Sequence, residues 1–360
     1  MKRQFLKIFG PTQRVALAFT LLCATGASVL AQVESAVDPV PRAGDWWTSR
    51  HESFNKNAAS MGEDVKLLMI GDSITQGWEG AGASVWKAYY ADRGALNLGI
   101  GGDRTQHVLW RLQNGNIEGL SPELAVIMIG TNNSGPERNS AGEIVAGVDA
   151  IVAYLREQLP EMKILLLGIF PRGAEFNDQR GKIAQVNQVL SAFPHRYEDL
   201  TYLDIGGSFL SVDGTIPPAL MPDYLHFSTP GYGVWAAAME TSLASLLGDA
   251  PKKIANAEVG GDWTFIIDGP DGEVEMPFSL EPNGAMVSGS FQVGPDRELA
   301  VERGGVFGSH IEFQVDRDRP NGGQMLYRLK GVVSEDHMEG TVSTKIEGQE
   351  TTSDWKAVRR

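Results

Sequence analysis

Short apolar runs alternate with segments of helical spacing over residues 65 to 247 of the chain. The apolar runs are bounded by glycine or polar turns, as is typical of strands buried on both faces. A regular alternation of strand and helix predicts a parallel sheet covered by helices on both sides. The predicted strands are 65–70, 96–99, 124–130, 163–168 and 201–204, and the predicted helices are 104–113, 141–159, 183–190 and 232–247.

The pattern changes after Gly248. Residues 249–260 have the composition of a linker, and short alternating segments with glycine-rich turns follow them. Seven such segments predict a small antiparallel all-β domain, either a barrel or a sandwich. They are 263–267, 274–280, 285–293, 311–315, 325–329, 338–343 and 355–358. The Gly261-Asp262-Trp263 start and the terminal arginines resemble lipocalin-like barrels. A ligand-binding or glycan-binding role and a purely structural role both remain open for this domain.

The N-terminus carries a different pattern, in which basic residues precede an apolar segment of small residues. Lys2, Arg3, Lys7 and Arg14 come before the apolar residues 15–31, which end in Val-Leu-Ala. This order predicts a secretory signal peptide and export to a secreted or periplasmic location; a buried N-terminal helix or a membrane anchor is the alternative. The predicted organisation is a signal peptide at 1–31, an α/β domain at 32–248, a linker at 249–260 and a β domain at 261–360.

Net charge limits the classes of partner that the protein can bind, and cysteine content limits the kinds of site that it can contain. The 360-residue chain has a formal net charge of −14, and loss of the four basic residues of the signal would take it to −18. Such a surface argues against nucleic acids and anionic membranes as partners. Cys23, the single cysteine, lies within the predicted signal. The mature chain would therefore contain no disulfide, no thiolate nucleophile and no cysteine-ligated zinc.

Ser73 directly follows the first predicted strand and is the first candidate for chemistry. Ligands bind outside the carboxyl ends of the strands in open α/β sheets, so Ser73 is either a helix N-cap or a nucleophile. Among six histidines, His226 has an acid three residues before it, Asp223, just ahead of the last predicted helix. That carboxylate could orient the imidazole toward Ser73; a capping or core histidine is the alternative reading. We expect Asp72 to order the loop by hydrogen bonding.

Two further loops offer donors for a developing oxyanion. Gly101 and Gly102 provide backbone N–H groups after the second predicted strand, and Asn132 provides a side-chain amide after the third. Tight-turn glycines and an N-cap cluster would explain the same residues without catalysis. The four features nevertheless fall on one edge of the predicted sheet.

Taken together, the motifs resemble the four blocks of the SGNH, or GDSL, hydrolases. The blocks are GDS at 71–73, Gly102, G-x-N at 130–132 and D-x-x-H at 223–226, with Ile74 in place of the family's leucine. Residues 97–115, GTNN, the later PRG and VNQVL are similar to the catalytic subunits of platelet-activating-factor acetylhydrolase Ib. The resemblance implies a flavodoxin-like three-layer α/β/α sandwich and a mechanism without a metal or another cofactor.

Residue roles follow from the same resemblance. It implies Ser73 as nucleophile, His226 as general base and Asp223 as the acid that orients it. The backbone N–H groups of Ser73 and Gly102 and the amide of Asn132 would form the oxyanion hole.

We therefore expect an exported serine esterase that removes short acyl groups, acetyl first among them, from small-molecule or glycan esters. The alternatives are a lipid-directed esterase or lysophospholipase, and a carbohydrate- or ligand-binding protein with a vestigial hydrolase domain. The resemblance also suggests a homodimer. We expect neither a nucleic-acid partner nor a stable membrane anchor.

Overall fold

A computed structural model describes residues 35–269, 272–294, 296–318, 323–346 and 349–360. The predicted signal peptide lies outside these residues. Within them, the chain builds an α/β sandwich followed by a β-barrel, and both are parts of one compact unit that runs to Arg360. No helix of the described residues is long and apolar enough to cross a membrane.

The α/β part is built on a five-stranded parallel sheet with the order β2-β1-β3-β4-β5. This is the flavodoxin-like strand order, and it confirms the predicted fold class. Each observed strand overlaps its predicted range. The strands are Leu67–Gly71 (β1), Ala95–Gly99 (β2), Leu124–Met128 (β3), Lys163–Leu167 (β4) and Leu200–Leu203 (β5).

Seven helices accompany this sheet in the described part of the chain. Sequence periodicity located the four that follow β2, β3, β4 and β5, but it missed the first three. The helices are Asp45–Met61 (α1), Ser73–Gln76 (α2), Ala83–Tyr89 (α3), Thr105–Arg111 (α4), Ala141–Gln158 (α5), Asp178–Leu190 (α6) and Thr229–Leu247 (α7).

Alternate residues of strand β1 enter two separate cores, one on each face of the sheet. Leu68 and Ile70 of β1 belong to the core that also contains buried residues of α1, α4, α5 and α6, whereas Leu67 and Met69 belong to the core that contains those of α3 and α7. The strands are therefore buried on both faces, which explains why their sequences are continuous apolar runs.

Helix α7 begins and ends at well-defined caps. The hydroxyl of Ser228 accepts a hydrogen bond from the N–H of Gly231 at 3.1 Å, and Pro230 occupies the first turn, where it leaves no helical hydrogen bond unmade. Gly248 adopts the left-handed conformation (φ 76°) that ends the helix. These caps fix the start of α7 three residues after His226.

The C-terminal domain is a closed antiparallel barrel of eight strands, which resolves the barrel-or-sandwich alternative. The sequence predicted seven strands and missed β9. The strands are Gly261–Gly269 (β6), Gly272–Asn283 (β7), Met286–Gln292 (β8), Glu298–Phe307 (β9), His310–Asp318 (β10), Gln324–Ser334 (β11), His337–Ile346 (β12) and Gln349–Arg359 (β13).

The two ends of the barrel differ. At one end the guanidinium of Arg359 lies 4.2 Å from the ring centroid of Trp263 and donates hydrogen bonds to the carbonyls of Gly260 and Glu258. Toward the other end an apolar cavity of about 470 Å³ opens inside the barrel. Phe265, Phe291 and Leu329 are among its lining residues.

Candidate active site

Ser73 lies at the carboxyl edge of the sheet, in a turn that its neighbours hold in place. The carboxylate of Asp72 accepts a hydrogen bond from the N–H of Ile74 at 3.0 Å and so caps the short helix α2, as the sequence led us to expect. Gly71 passes so close to β3 that a β-carbon there would lie 2.6 Å from the carbonyl oxygen of Met128. A side chain at Gly71 would therefore displace the turn that carries Ser73.

His226 links Ser73 to Asp223. The Nδ1–H of His226 donates to Asp223 Oδ2 at 2.7 Å, and Nε2 lies 2.9 Å from Ser73 Oγ, where it can accept the hydroxyl proton. Asp223 Oδ1 accepts from the backbone N–H groups of Leu225 and His226 at 3.1 and 2.7 Å. This hydrogen-bonded chain has the arrangement that lets a serine hydroxyl act as a nucleophile.

Asp223 is held in its ionised form. Partial burial acts to raise its pKa, but the hydrogen bonds from the ring and backbone N–H of His226 outweigh it, so the pKa lies below the usual value. An ionised Asp223 accepts the Nδ1–H of His226 and thereby selects the tautomer whose Nε2 faces Ser73.

The loops after β2 and β3 bring the predicted oxyanion donors beside Ser73. A β-carbon placed on Gly101 would lie 3.8 Å from Ser73 Cβ, but the Gly101 N–H already donates to Gln76 Oε1 at 2.7 Å. Gly102 adopts a left-handed conformation with φ of 74°. Of the two glycine N–H groups that the sequence offered as oxyanion donors, that of Gly101 is therefore already hydrogen-bonded within the site.

Asn132 also lies at this site, and its side-chain amide already donates hydrogen bonds to neighbouring residues. Nδ2 donates to the carbonyl oxygen of Asp103 at 2.9 Å and to Asp72 Oδ2 at 3.3 Å. A ligand oxygen would compete with these two acceptors for the amide hydrogens. The longer contact, to Asp72, is the weaker of the two by geometry.

A cleft of about 510 Å³ opens beside Ser73 and His226. Gln76 and Glu79 provide polar groups along it, and Phe227 and Tyr232 provide aromatic surface. The Glu79 carboxylate is fixed by a bidentate pair with Arg50 at 2.9 and 3.0 Å. Among the described residues, no group of three or more histidine, cysteine, aspartate or glutamate side chains could hold a metal ion.

The matches to known proteins fall in the α/β part of the chain, which carries the site described above. Residues 69–234 match the GDSL-like Lipase/Acylhydrolase family. The chain is 37% identical over 209 residues to rat platelet-activating factor acetylhydrolase IB subunit alpha2, a match that spans 58% of this chain and 88% of the relative. It is 38% identical to the human alpha1 subunit over 56% of this chain and 84% of that protein. This chain belongs to the GDSL-like lipase/acylhydrolase family.

Family membership makes this protein a carboxylic ester hydrolase, and Ser73 stands in Gly71-Asp72-Ser73-Ile74, which differs from the motif that names the family only at Ile74. A GDSL-like lipase from Bacteroides thetaiotaomicron aligns with this GDSL hydrolase at 19% identity and a TM-score of 0.45. That alignment covers 54% of this chain and 97% of the other.

A buried polar network, which the sequence did not reveal, holds the first two loops of the GDSL site together. The guanidinium of Arg111 donates to the carbonyl of Gly71 at 2.9 Å and to Asp103 Oδ2 at 2.8 Å. Asp103 also accepts from Trp47 Nε1 at 2.7 Å. Arg111 thus connects the residue two positions before Ser73 with the residue directly after Gly102.

Burial has the largest influence on the pKa values of the two carboxyl groups beside this network, those of Asp72 and Asp103. It raises the pKa of Asp103 despite the adjacent Arg111 guanidinium, and it raises the pKa of Asp72 to about 7. The hydrogen bond from Ile74 opposes the shift of Asp72, whereas the charge of Asp103 adds to it.

Two more arginines flank the site of this hydrolase. The guanidinium of Arg42 donates to the carbonyl of Gly101 and lies against Gly102, where a β-carbon would be 2.8 Å from its Nη1. Arg172, in the Pro-Arg-Gly segment, donates to Thr131 Oγ1 at 3.2 Å. Burial lowers the pKa of Arg172, and the nearby carboxylates of Asp72 and Asp223 partly offset the shift. In the sequence, Pro-Arg-Gly contributed to the resemblance, but nothing assigned a role to Arg172.

Proposed function

We propose that this GDSL hydrolase cleaves short-chain acyl esters, acetyl esters first, through an acyl-enzyme on Ser73. The observation that carries the proposal is the hydrogen-bonded chain from Ser73 Oγ through His226 to Asp223. His226 Nε2 takes the hydroxyl proton as Oγ attacks the ester carbonyl carbon, and it returns that proton to the departing alcohol. Water then attacks the acyl-enzyme with His226 again as base, and the carboxylic acid leaves.

The oxyanion of each tetrahedral intermediate would lie between the N–H groups of Ser73 and Gly102 and the amide of Asn132. Accepting from Asn132 requires the ligand oxygen to replace Asp72 Oδ2, the more distant of its present acceptors at 3.3 Å. A developing negative charge competes for that hydrogen better than a neutral ester oxygen does. The arrangement would therefore favour the intermediate over the bound substrate.

Two observations support a short acyl group on a polar alcohol such as a carbohydrate. The relatives with 36 to 38% identity are named acetylhydrolases. The cleft beside Ser73 also presents the polar groups of Gln76 and the Arg50-paired Glu79, which suit a hydroxyl-rich alcohol portion.

A lipid-directed esterase is the second candidate, and the apolar barrel cavity is the observation that would favour it. However, Leu299 lines that cavity near the start of β9, whereas Phe307, at the other end of β9, packs on the hydrolase. Eight residues of extended strand separate the two by roughly 25 Å. The cavity therefore offers no direct path for a long acyl chain to Ser73.

The test is hydrolysis of p-nitrophenyl acetate, butyrate and octanoate by the wild-type protein, Ser73→Ala and the exposed-serine control Ser245→Ala. We expect turnover to fall steeply with acyl length, to vanish in Ser73→Ala and to persist in Ser245→Ala. Equal rates in Ser73→Ala and wild type would refute the nucleophile. Preference for octanoate would favour the lipid-directed reading, and no turnover of any ester would favour a binding protein with a vestigial hydrolase domain.

We also propose that the enzyme acts outside the cytoplasm, because residues 1–31 have the basic, apolar and small-residue order of a secretory signal. Cell fractionation followed by mass spectrometry of the N-terminus tests this. We expect a mature chain beginning after Ala31 in the periplasmic or culture fraction. An uncleaved chain confined to the cytoplasm would contradict export.

A further inference from the structure

The barrel packs directly against the helix that follows the His226 loop. Strand β9 lies so close to the first turn of α7 that a β-carbon on Gly305 would be 2.4 Å from Pro230 Cγ. One turn further along, the ring of Phe307 fills the space that a side chain at Gly233 would need, again at 2.4 Å. The lack of a side chain at 233 and at 305 therefore lets the rings of Phe307 and Pro230 pack closely between α7 and the barrel.

A barrel carboxylate is bonded to the start of α7. Glu312 Oε1 on β10 accepts a hydrogen bond from the N–H of Thr229, the first residue of α7, at 3.0 Å. The N–H groups of a helix's first turn have no partner within the helix, and a negative charge there is stabilised by the helix dipole. Ser228 accepts the N–H of Gly231, and Glu312 accepts that of Thr229 from a different domain, so the two acceptors serve different N–H groups of the same turn.

The barrel also reaches the other end of the same loop. Arg303 Nη1 on β9 lies 3.5 Å from the carbonyl oxygen of Pro222, which immediately precedes Asp223. The segment 222–229, which carries both Asp223 and His226, is therefore in contact with the barrel at its first residue and at its last. Of these two contacts, that of Glu312 is shorter and more buried.

The first turn of α7 is in turn bonded to the segment around Ser73. The hydroxyl of Tyr232 donates to the carbonyl of Ile74 at 2.6 Å, and that of Thr229 donates to the carbonyl of Ala81 at 2.8 Å. A shift in the start of α7 would consequently alter the distance between His226 and the turn that carries Ser73.

From these contacts we propose that the barrel is a positioning element of the active site, in which Glu312 holds the start of α7 so that His226 Nε2 stays within hydrogen-bonding distance of Ser73 Oγ. The inference rests on the proposed roles of Ser73 and His226. Glu312 is a positioning residue: it acts through Thr229 and touches neither substrate nor the reacting atoms. This gives the C-terminal domain a role in the hydrolytic reaction itself.

The test compares Glu312→Ala and Glu312→Gln in the full-length protein, with p-nitrophenyl acetate as substrate. Loss of the acceptor in Glu312→Ala should lower kcat by about tenfold, as expected for loss of a hydrogen bond worth about 1.4 kcal/mol, and should change KM by less than about twofold. Glu312→Gln keeps a side-chain oxygen that can accept from Thr229 and should recover most of the lost kcat. Lys330, 3.8 Å from the carboxylate, is exposed and tolerates the loss of charge.

Glu339→Ala is the matched control, because Glu339 is an exposed carboxylate on β12 that lines the same small cleft between barrel and α7 as Glu312. It should leave kcat unchanged. Inactivation by a fluorophosphonate, which reports attack by the serine hydroxyl, should slow in Glu312→Ala in parallel with kcat and remain normal in Glu339→Ala.

Three outcomes would overturn the inference: wild-type kcat in Glu312→Ala, equal losses in Glu312→Ala and Glu312→Gln, or a loss in Glu339→Ala as large as that in Glu312→Ala. If Glu312→Ala does not fold, Glu312→Gln and Arg303→Ala still test it, because Arg303→Ala should lower kcat by a smaller factor without raising KM. Failure of the proposed function is distinguishable, since Ser73→Ala or His226→Ala would then retain activity whatever Glu312 does.

Discussion

Asp72 is a fully buried carboxyl group next to Ser73, and its titration affects the stability of the whole domain. Burial raises its pKa to about 7, compared with 3.8 for the unperturbed group. Between these pH values the folded protein retains a proton that the unfolded chain releases. The contribution of Asp72 to the free energy of unfolding is therefore full below about pH 4 and is lost as the pH rises through 7.

Replacing Asp72 with asparagine should remove this dependence. An asparagine oxygen can still accept from the N–H of Ile74, and the free energy of unfolding of Asp72→Asn should fall less steeply from pH 4 to 7 than that of wild type, by up to a few kcal/mol across the range. Urea unfolding at several pH values measures this. Asp213→Asn is the control of opposite sign, because Thr215 lowers the pKa of Asp213. Parallel curves for Asp72→Asn and wild type would contradict the assignment.

Single residues of the site differed in how well the sequence revealed them. Ser73 and the Asp223–His226 pair could be placed because each adjoins a strand end or a helix start in a short motif. Arg111 could not, because it bonds the carbonyl of Gly71, 40 positions away, and no local pattern encodes such a pairing. The hydrogen bonds of the Asn132 amide likewise could not be predicted, because they join Asn132 to residues of two other loops, Asp72 and Asp103.

At the level of elements, the five sheet strands could be predicted because burial on both faces makes each of them a continuous apolar run. Helix α1 was missed since its buried residues, among them Trp47 and Phe54, are separated by polar ones and include His51. Strand β9 was missed because Gly304 and Gly305 interrupt it and charged residues alternate with its core positions. The same glycines let β9 pack closely on β8 and α7, so the feature that obscures the strand is required by its contacts.

The attachment of α7 to the turn between α3 and β2 depends on a buried ion pair. Both guanidinium nitrogens of Arg93 bond the carboxylate of Glu240 at 2.8 and 2.9 Å, and both side chains are less than 5% exposed. Glu240→Ala would leave the Arg93 charge largely buried, with the Asp249 carboxylate as its remaining anionic partner among the described residues. We expect the free energy of unfolding to fall by about 3–5 kcal/mol.

Chemical denaturation of Glu240→Ala measures this cost, and Glu123→Ala is its matched control. Glu123 pairs with Lys66 at 3.7 Å on the surface, where both side chains are about half exposed. Loss of that pair should cost less than about 1 kcal/mol. A similar decrease in the free energy of unfolding of the two variants would show that burial does not make the Arg93–Glu240 pair more important for stability than an exposed pair.

Considered as a whole, the molecule joins its two folds through a shared core. The sequence predicted both folds, because each has its own periodicity, but it could not predict their contact. Phe307 belongs to a barrel strand, yet it lies in the hydrolase core on the α3–α7 face of the sheet, 6.2 Å from the ring of Tyr89. In sequence it is one apolar residue at a strand end, and its contacts on the hydrolase with Gly233 and Tyr89 are more than 70 positions away.

This shared core should make the two domains unfold together. We expect one calorimetric transition for the wild-type protein, because the barrel cannot unfold without exposing the Phe307 pocket of the hydrolase. Phe307→Ala should lower the free energy of unfolding by about 3–5 kcal/mol and separate the barrel and hydrolase transitions. Phe176→Ala, at a position 76% exposed, removes the same side chain from the surface and should preserve the single transition. Two transitions already present in the wild type would show that the barrel and the hydrolase unfold independently, and would contradict a stabilising role for the shared core around Phe307.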